Sequence, residues 1–203
     1  MRKAPCEVGR PRLGLDLMLP LRRLEIRRHA AKGSELGGDC LSPEGIEQAH
    51  RLGRSLRVGY THLYSSGAQR ATQTLACILA GMGRHVLSGV VVRPGLGSPR
   101  EAEWRDTARA AGSTSLEKLL SQNESLVREE SARLATELRA ILADLPEGAY
   151  GLAIGHSPLT ECGVYGLTGT LHAPLKECDG FLIVQVKGGR LVVETLAWSR
   201  LQS

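Results

Sequence analysis

Aromatic side chains are scarce in this chain: one Phe, two Trp and four Tyr among 203 residues, or 3%. A core must then be filled mainly by Leu, Val, Ile and Ala, and the stacking platforms on which nucleic-acid bases rest are nearly absent. Cysteine offers no framework either. The five present (Cys6, Cys40, Cys77, Cys162 and Cys178) are odd in number and lack CxxC or Cys/His metal-site spacing. They read as reduced thiols, and none sits in a nucleophile motif. HxxxH pairs, HExxH and clustered carboxylates are missing too, so a metal-dependent hydrolase is the weakest reading. The nearest approach to a long apolar run, Leu13 to Leu21, is broken by Asp16 and Pro20 and lacks a small-residue cleavage site. The expectation is a soluble, cytoplasmic protein with no membrane insertion, no specific nucleic-acid partner and no cofactor.

With 203 residues and 42% hydrophobic composition, the chain is sized for one well-buried core. Its formal charge of +5 is concentrated at one end. Residues 1 to 28 hold eight of the 26 Lys and Arg and three of the 21 Asp and Glu, leaving 18 of each sign elsewhere. Residues 1–21 are read as a basic, flexible segment without assigned function, and 22–203 as the folded domain. Oligomeric state is left open.

Strand-length apolar runs alternate with helical patterns, the signature of a layered α/β domain. Leu24 to Arg28 reads as the first strand, with Leu24 and Ile26 inward. Ser42 caps and Pro43 opens a helix with Ile46, Ala49, Leu52, Gly53 and Leu56 on one face. Tyr60 to Ser65 reads as a strand, Ala68 to Met82 as a helix closed by Gly83, and His85 to Arg93 as a further strand. From Pro94 to Asn123 the pattern dissolves, and a loop with short helical pieces is expected there as a lid. Asn123 caps a long helix to about Leu142, with Leu134, Leu138, Ile141 and Leu145 at core spacing and Glu124/Arg128 and Glu129/Arg133 as ion pairs. Tyr150 to Gly155 reads as a buried strand before a helix from Pro158. Phe181 to Val186 and Leu191 to Ala197 read as a closing hairpin.

Three polar elements fall at predicted strand ends or at the start of the next helix, where α/β folds bind ligands. They are Arg28-His29, Arg70 within Ser65 to Thr74, and His156 within Ala153 to Ser157. Together they suit phosphoryl transfer without a metal. Two fixed guanidiniums, Arg28 and Arg70, hold the oxygens of the migrating group through bidentate hydrogen bonds. A neutral His29 attacks phosphorus in line, and His156, kept protonated by bound phosphate, adds a donor. His50, His62, His85 and His172 read as structural or surface residues.

At these positions the sequence resembles the histidine phosphatase superfamily, with its phosphoglycerate-mutase-like fold. Leu24 to Ala30 matches that family's strand and Arg-His-Gly signature, and Leu41 to Ala49 its Leu-Thr-x-x-Gly-x-x-Gln-Ala helix start. Ser65 to Thr74 matches its Ser-x-x-x-Arg-Ala-x-Gln-Thr segment, and Ile154 to Ser157 its second-histidine motif. The four occur in the family's order over residues 22 to 198. The resemblance implies a three-layer α/β/α sandwich around a central, mostly parallel sheet. It also implies a phosphate pocket of Arg28, Arg70 and His156, with His29 phosphorylated. Two departures stand out: Ala30 replaces the signature glycine, and Ser157 removes the Asp that can follow the second histidine as general acid. Glu101 is preferred to Glu103 as that acid, against the alternative that both are solvated charges. Family members acting on phosphohistidine proteins dispense with it, because imidazole leaves easily.

The implied function is a metal-independent phosphatase acting on a phosphorylated small molecule or protein. A phosphoglycerate-type mutase and a catalytically inactive phosphate-binding module are the alternatives.

Overall fold

A computed structural model of the chain describes residues 20–34, 39–84 and 89–198. The basic leader thus lies almost wholly outside the described residues, as does His85. Strand β1 (Pro20–Arg28) starts four residues before Leu24, so Arg22 and Arg23 join Arg27 and Arg28 in the sheet, and Pro20 and Leu21 extend it into the segment read as a flexible leader. The reason is visible in its position. The sheet order is β3-β2-β4-β1-β5-β6, with β2 (His62–Ser65), β3 (Val90–Val92), β4 (Tyr150–Gly155), β5 (Gly180–Val186) and β6 (Leu191–Leu196), so β1 is central. Strands β3, β2, β4 and β1 run parallel, and β5 and β6 add antiparallel.

A central strand buries both faces. Leu24 and Ile26 enter one apolar cluster with Ala153, Leu138, Ile141 and Phe181. Glu25 and Arg27 point to the other face; Arg27, only 5% exposed, pairs with Glu25 and donates to the Cys178 carbonyl. Tyr150 donates its hydroxyl to the second Glu25 oxygen at 2.8 Å. The buried charges are therefore compensated locally.

Helices α1 (Pro43–Ser55) and α2 (Gln69–Met82) cover the face carrying Leu63, Leu152 and Ile154. Helices α5 (Glu124–Asp144) and α6 (Leu159–Thr168) cover the opposite face. The result is the expected three-layer α/β/α sandwich. Ser42 caps α1 by accepting from the Gly45 amide, and Asn123 caps α5 by accepting from Leu126. Ile46, however, is 46% exposed, and Gly45 takes the inner position instead. A Cβ at Gly45 would lie 2.0 Å from the Ala31 carbonyl oxygen, so the missing side chain is what lets α1 touch the loop after β1.

The stretch from Pro94 to Asn123 has the expected short helical pieces, but they make up most of it. It holds a 3₁₀ turn (Pro94–Leu96), α3 (Glu101–Ala111) and α4 (Leu116–Gln122), joined to α5 and α6 by a cluster of Trp104, Leu116, Leu119, Leu126 and Leu159. Each short helix buries only two residues three apart, a signal too brief to stand out from its polar surroundings. The Glu129/Arg133 pair is replaced: Glu129 binds Arg100, while Arg133 turns to Glu130 and to the carbonyls of Gly95 and Gly97. Of the strand expected over 85–93, residues 85–88 lie outside the described set and Val90–Val92 forms the sheet edge. Among the described residues, no helix is long and apolar enough to cross a membrane.

Candidate active site

The site forms where β1, β4 and β2 end side by side. The His29 amide donates to the Gly155 carbonyl at 3.0 Å and the Ser66 amide to the Ile154 carbonyl at 3.2 Å, which fixes the three strand ends in mutual register. Thr74 and two glutamines then hold the turn after β1. The Ala30 amide donates to Thr74 Oγ1 at 3.0 Å, the Ala31 amide to Gln48 Oε1 at 3.1 Å, and the Leu41 amide to Gln73 Oε1 at 2.8 Å. The polar motif residues on α1 and α2 thus satisfy backbone donors beside the site. Ala30 fits because its backbone has negative φ; among the described non-glycine residues, positive φ occurs only at Cys178.

His29 and His156 meet edge to face, ring centroids 5.2 Å apart, and are only 8% and 9% exposed. Arg70 bridges them. Its Nε donates to His29 Nε2 at 3.2 Å and its Nη2 to His156 Nδ1 at 3.1 Å. A guanidinium has no lone pair to offer, so both ring atoms facing it are unprotonated acceptors. The His29 proton then sits on Nδ1, donated to the Ala30 carbonyl at 2.7 Å, and the His156 proton on Nε2, donated to Ser66 Oγ at 2.8 Å. His29 therefore keeps an unprotonated Nε2, with its lone pair on the Arg70 guanidinium.

Burial above all pushes His29 down to about 4, opposed by the Ala30 hydrogen bond and assisted by Arg70 and Arg28. Burial, then Arg70 and His29, pushes His156 down to about 3. Both rings are neutral near pH 7, so His156 takes up a proton from solvent only where the negative charge of an arriving phosphate favours its charged form. Each histidine is held below its ordinary value of 6.5, so the unfolded chain binds more protons as the pH falls below that value. Their contribution to stability is full above about pH 6.5 and is lost towards pH 4 and 3. In urea unfolding between pH 7 and 4.5, the wild type is expected to lose more stability than a His29→Asn/His156→Gln variant. Equal slopes would contradict this.

Arg28 lies at the end of β1 and is held from the loop after α6. Its Nη1 donates to the Leu175 carbonyl at 2.6 Å and its Nη2 to Glu177 Oε1 at 2.7 Å. Glu161 steadies that loop: its Oε1 accepts from Ser157 Oγ at 2.5 Å and from the Leu175 amide at 2.8 Å. Burial raises the Glu161 pKa. Arg70 is similarly held by Asp39. Glu101 lines a cavity of about 460 Å3 beside His156 and Ser66. Glu103 does not line it. Both its oxygens take hydrogen bonds from Arg100, which holds the exposed carboxyl below the usual range.

The structure thus brings together Arg28, His29, Arg70 and His156, with Glu101 at the adjoining cavity. Sequence reasoning missed Asp39, Ser66, Glu161 and Glu177. Ser66 and Glu161 were open to inference, one adjoining a strand end and the other opening the helix after His156. Among the described residues, no group of three or more His, Cys, Asp or Glu is placed to hold a metal ion.

Residues 34–107 match the histidine phosphatase superfamily (branch 1), a span that includes Arg70 but begins after His29. No curated protein matches the sequence. The fold is similar to phosphoglycerate mutase from Bacillus anthracis str. Sterne, at 19% identity and a TM-score of 0.66, covering 87% of this chain and 93% of that one. It is similar also to phosphoserine phosphatase from Entamoeba histolytica, solved with 3-phosphoglyceric acid, at 17% identity and a TM-score of 0.68, covering 89% and 100%. A third likeness is to the protein histidine phosphatase SixA complexed with tungstate, at 18% identity and a TM-score of 0.58, covering 88% and 99%. The chain resembles the histidine phosphatase superfamily in sequence and has the phosphoglycerate-mutase-like fold.

Proposed function

We propose that the chain is a phosphatase that hydrolyses a phosphomonoester through a phosphohistidine at His29, without a metal ion. The observation that supports this reading is the bridging of both imidazoles by Arg70, which keeps His29 Nε2 unprotonated, as a nucleophile must be. In the proposed reaction Nε2 attacks phosphorus, the ester P–O bond breaks, and the leaving oxygen takes a proton from Glu101. Water then attacks phosphohistidine as the Glu101 carboxylate takes its proton, the P–N bond breaks, and phosphate leaves with the imidazole and the protonated Glu101 restored. Arg28, Arg70 and a His156 protonated in the complex neutralise the oxygens of the transferring group. The substrate is a phosphorylated small molecule or protein.

A panel of phosphomonoesters that includes 3-phosphoglycerate, assayed with and without EDTA, tests the reading. Release of phosphate without isomerisation, unchanged by EDTA, is the expected result. Isomerisation without phosphate release would favour a mutase, and activity abolished by EDTA and restored by zinc would refute the metal-free mechanism.

The acid has its own test. Glu101→Gln is expected to slow alkyl phosphates about 10²-fold while slowing p-nitrophenyl phosphate much less, because nitrophenolate leaves without a proton. Glu103→Gln should leave both rates near wild type. Equal slowing of both esters by Glu101→Gln would remove its role as acid.

A further inference from the structure

Each arginine of the site is matched by a carboxylate from a separate segment. Glu177, in the loop after α6, binds Arg28 at 2.7 Å, and Asp39, ahead of α1, binds Arg70 at 2.5 Å. Both acids stand further out than the cations they hold. The Asp39 and Glu177 side chains are 49% and 36% exposed, against 21% for Arg70 and 27% for Arg28. Both are also close enough to act electrostatically on the reacting rings, Glu177 on His29 and Asp39 on His156. The cavity beyond His156 runs past Ser66, Ser98 and Pro99, and the charged side chain it presents is Glu101.

We propose that Asp39 and Glu177 are specificity-determining residues that favour phosphomonoesters with a cationic or neutral leaving group and reject those carrying a second anionic group. The proposal rests on the reading of Arg28 and Arg70 as the phosphate clamp. The carboxylates need not leave for phosphate to enter. Each terminal guanidinium nitrogen carries two hydrogens, so each arginine keeps donors beyond those its protein partners take. Phosphate oxygens then face the arginines while the rest of the ester faces the acids at the rim. An ammonium on the leaving group gains two acceptors of opposite charge. A carboxylate there meets like charge at a partly exposed rim, which is selection by repulsion. For two charges at about 6–8 Å in partly screened surroundings, the discrimination amounts to roughly tenfold.

Binding to a His29→Ala chain measures this without turnover. Calorimetry with O-phosphoethanolamine and with 3-phosphoglycerate, each with and without Asp39→Asn/Glu177→Gln, gives the ratio of dissociation constants, and inorganic phosphate reports pocket integrity. The expected result is tighter binding of O-phosphoethanolamine and a ratio that narrows about tenfold in the double substitution. General damage to the pocket weakens both ligands and cancels in the ratio. A ratio unchanged within about twofold, tighter binding of 3-phosphoglycerate with both acids in place, or binding of neither ester overturns the proposal. Phosphate release by the wild type is read separately. Release with an unchanged ratio leaves the phosphatase reading and removes this one; a narrowed ratio without release does the reverse.

Discussion

Replacing His29 by alanine is expected to lower phosphomonoester hydrolysis at least about 10³-fold and to abolish acid-labile phosphorylation of the chain. The expectation follows from the proposed role of His29, whose Nε2 is unprotonated, as the nucleophile. His156 Nδ1 likewise accepts from Arg70, at 3.1 Å, and its Nε2 carries the proton given to Ser66, so the two rings differ in their proposed roles rather than in how Arg70 holds them. Cys178, behind Arg28, is buried and its thiol is pushed up to about 12, so it supplies no thiolate. His29 Nε2 accepts from Arg70 at 3.2 Å, and in the proposed reaction the guanidinium turns to the phosphoryl oxygens as Nε2 attacks. The same variant should still bind inorganic phosphate, because Arg28 and Arg70 are anchored by Glu177, Leu175 and Asp39 rather than by the His29 ring alone. Retained binding with lost turnover separates a missing nucleophile from a collapsed pocket. Phosphorylation that persists in the variant would assign the nucleophile elsewhere.

The parts of this site that could be read from sequence are those in which chemistry and backbone geometry coincide. Arg28, His29, Arg70 and His156 stand at strand ends or helix starts, and the parallel β2-β4-β1 arrangement brings those ends together. Gln48, Gln73 and Thr74, in the same motifs, accept from the amides of Ala31, Leu41 and Ala30 respectively. What stayed hidden depends on distant partners. Arg27 falls within the first strand as predicted, but its burial against Glu25 and the Cys178 carbonyl, with Tyr150 on the same carboxylate, depends on segments far along the chain. Ile46 matched the apolar face of α1, yet the close approach of Ala31 required the neighbouring glycine on the inner side. Helices α3 and α4 are too short to show a period, and their core lies on α5 and α6. Asp39 and Glu177 sit in loops whose contacts with Arg70 and Arg28 only the folded chain reveals.

Arg70 is the residue whose loss should alter the most at once. Arg70→Ala is expected to lower kcat/KM for a phosphomonoester about 10³-fold and to move the acid limb of the pH profile upward. The rate loss follows because one planar fork orients both rings and faces the transferring oxygens, a task that three diverging donors on this guanidinium perform together. Arg70→Lys should recover little, since one ammonium cannot span rings whose centroids are 5.2 Å apart and also hold Asp39. The shift of the acid limb has a separate origin. Arg70 is one of the charges lowering both histidines, so removing it raises His29 from about 4 and His156 from about 3 towards the ordinary 6.5. The nucleophile is then lost to protonation at a higher pH than in the wild type, and freeing Asp39 from its ion pair acts in the same direction on His156. Titration of the two rings by NMR in wild type and Arg70→Ala reads this directly. Histidine pKa values that stay fixed, or fall, when Arg70 is removed would show that burial alone sets them and that the guanidinium does not tune the nucleophile.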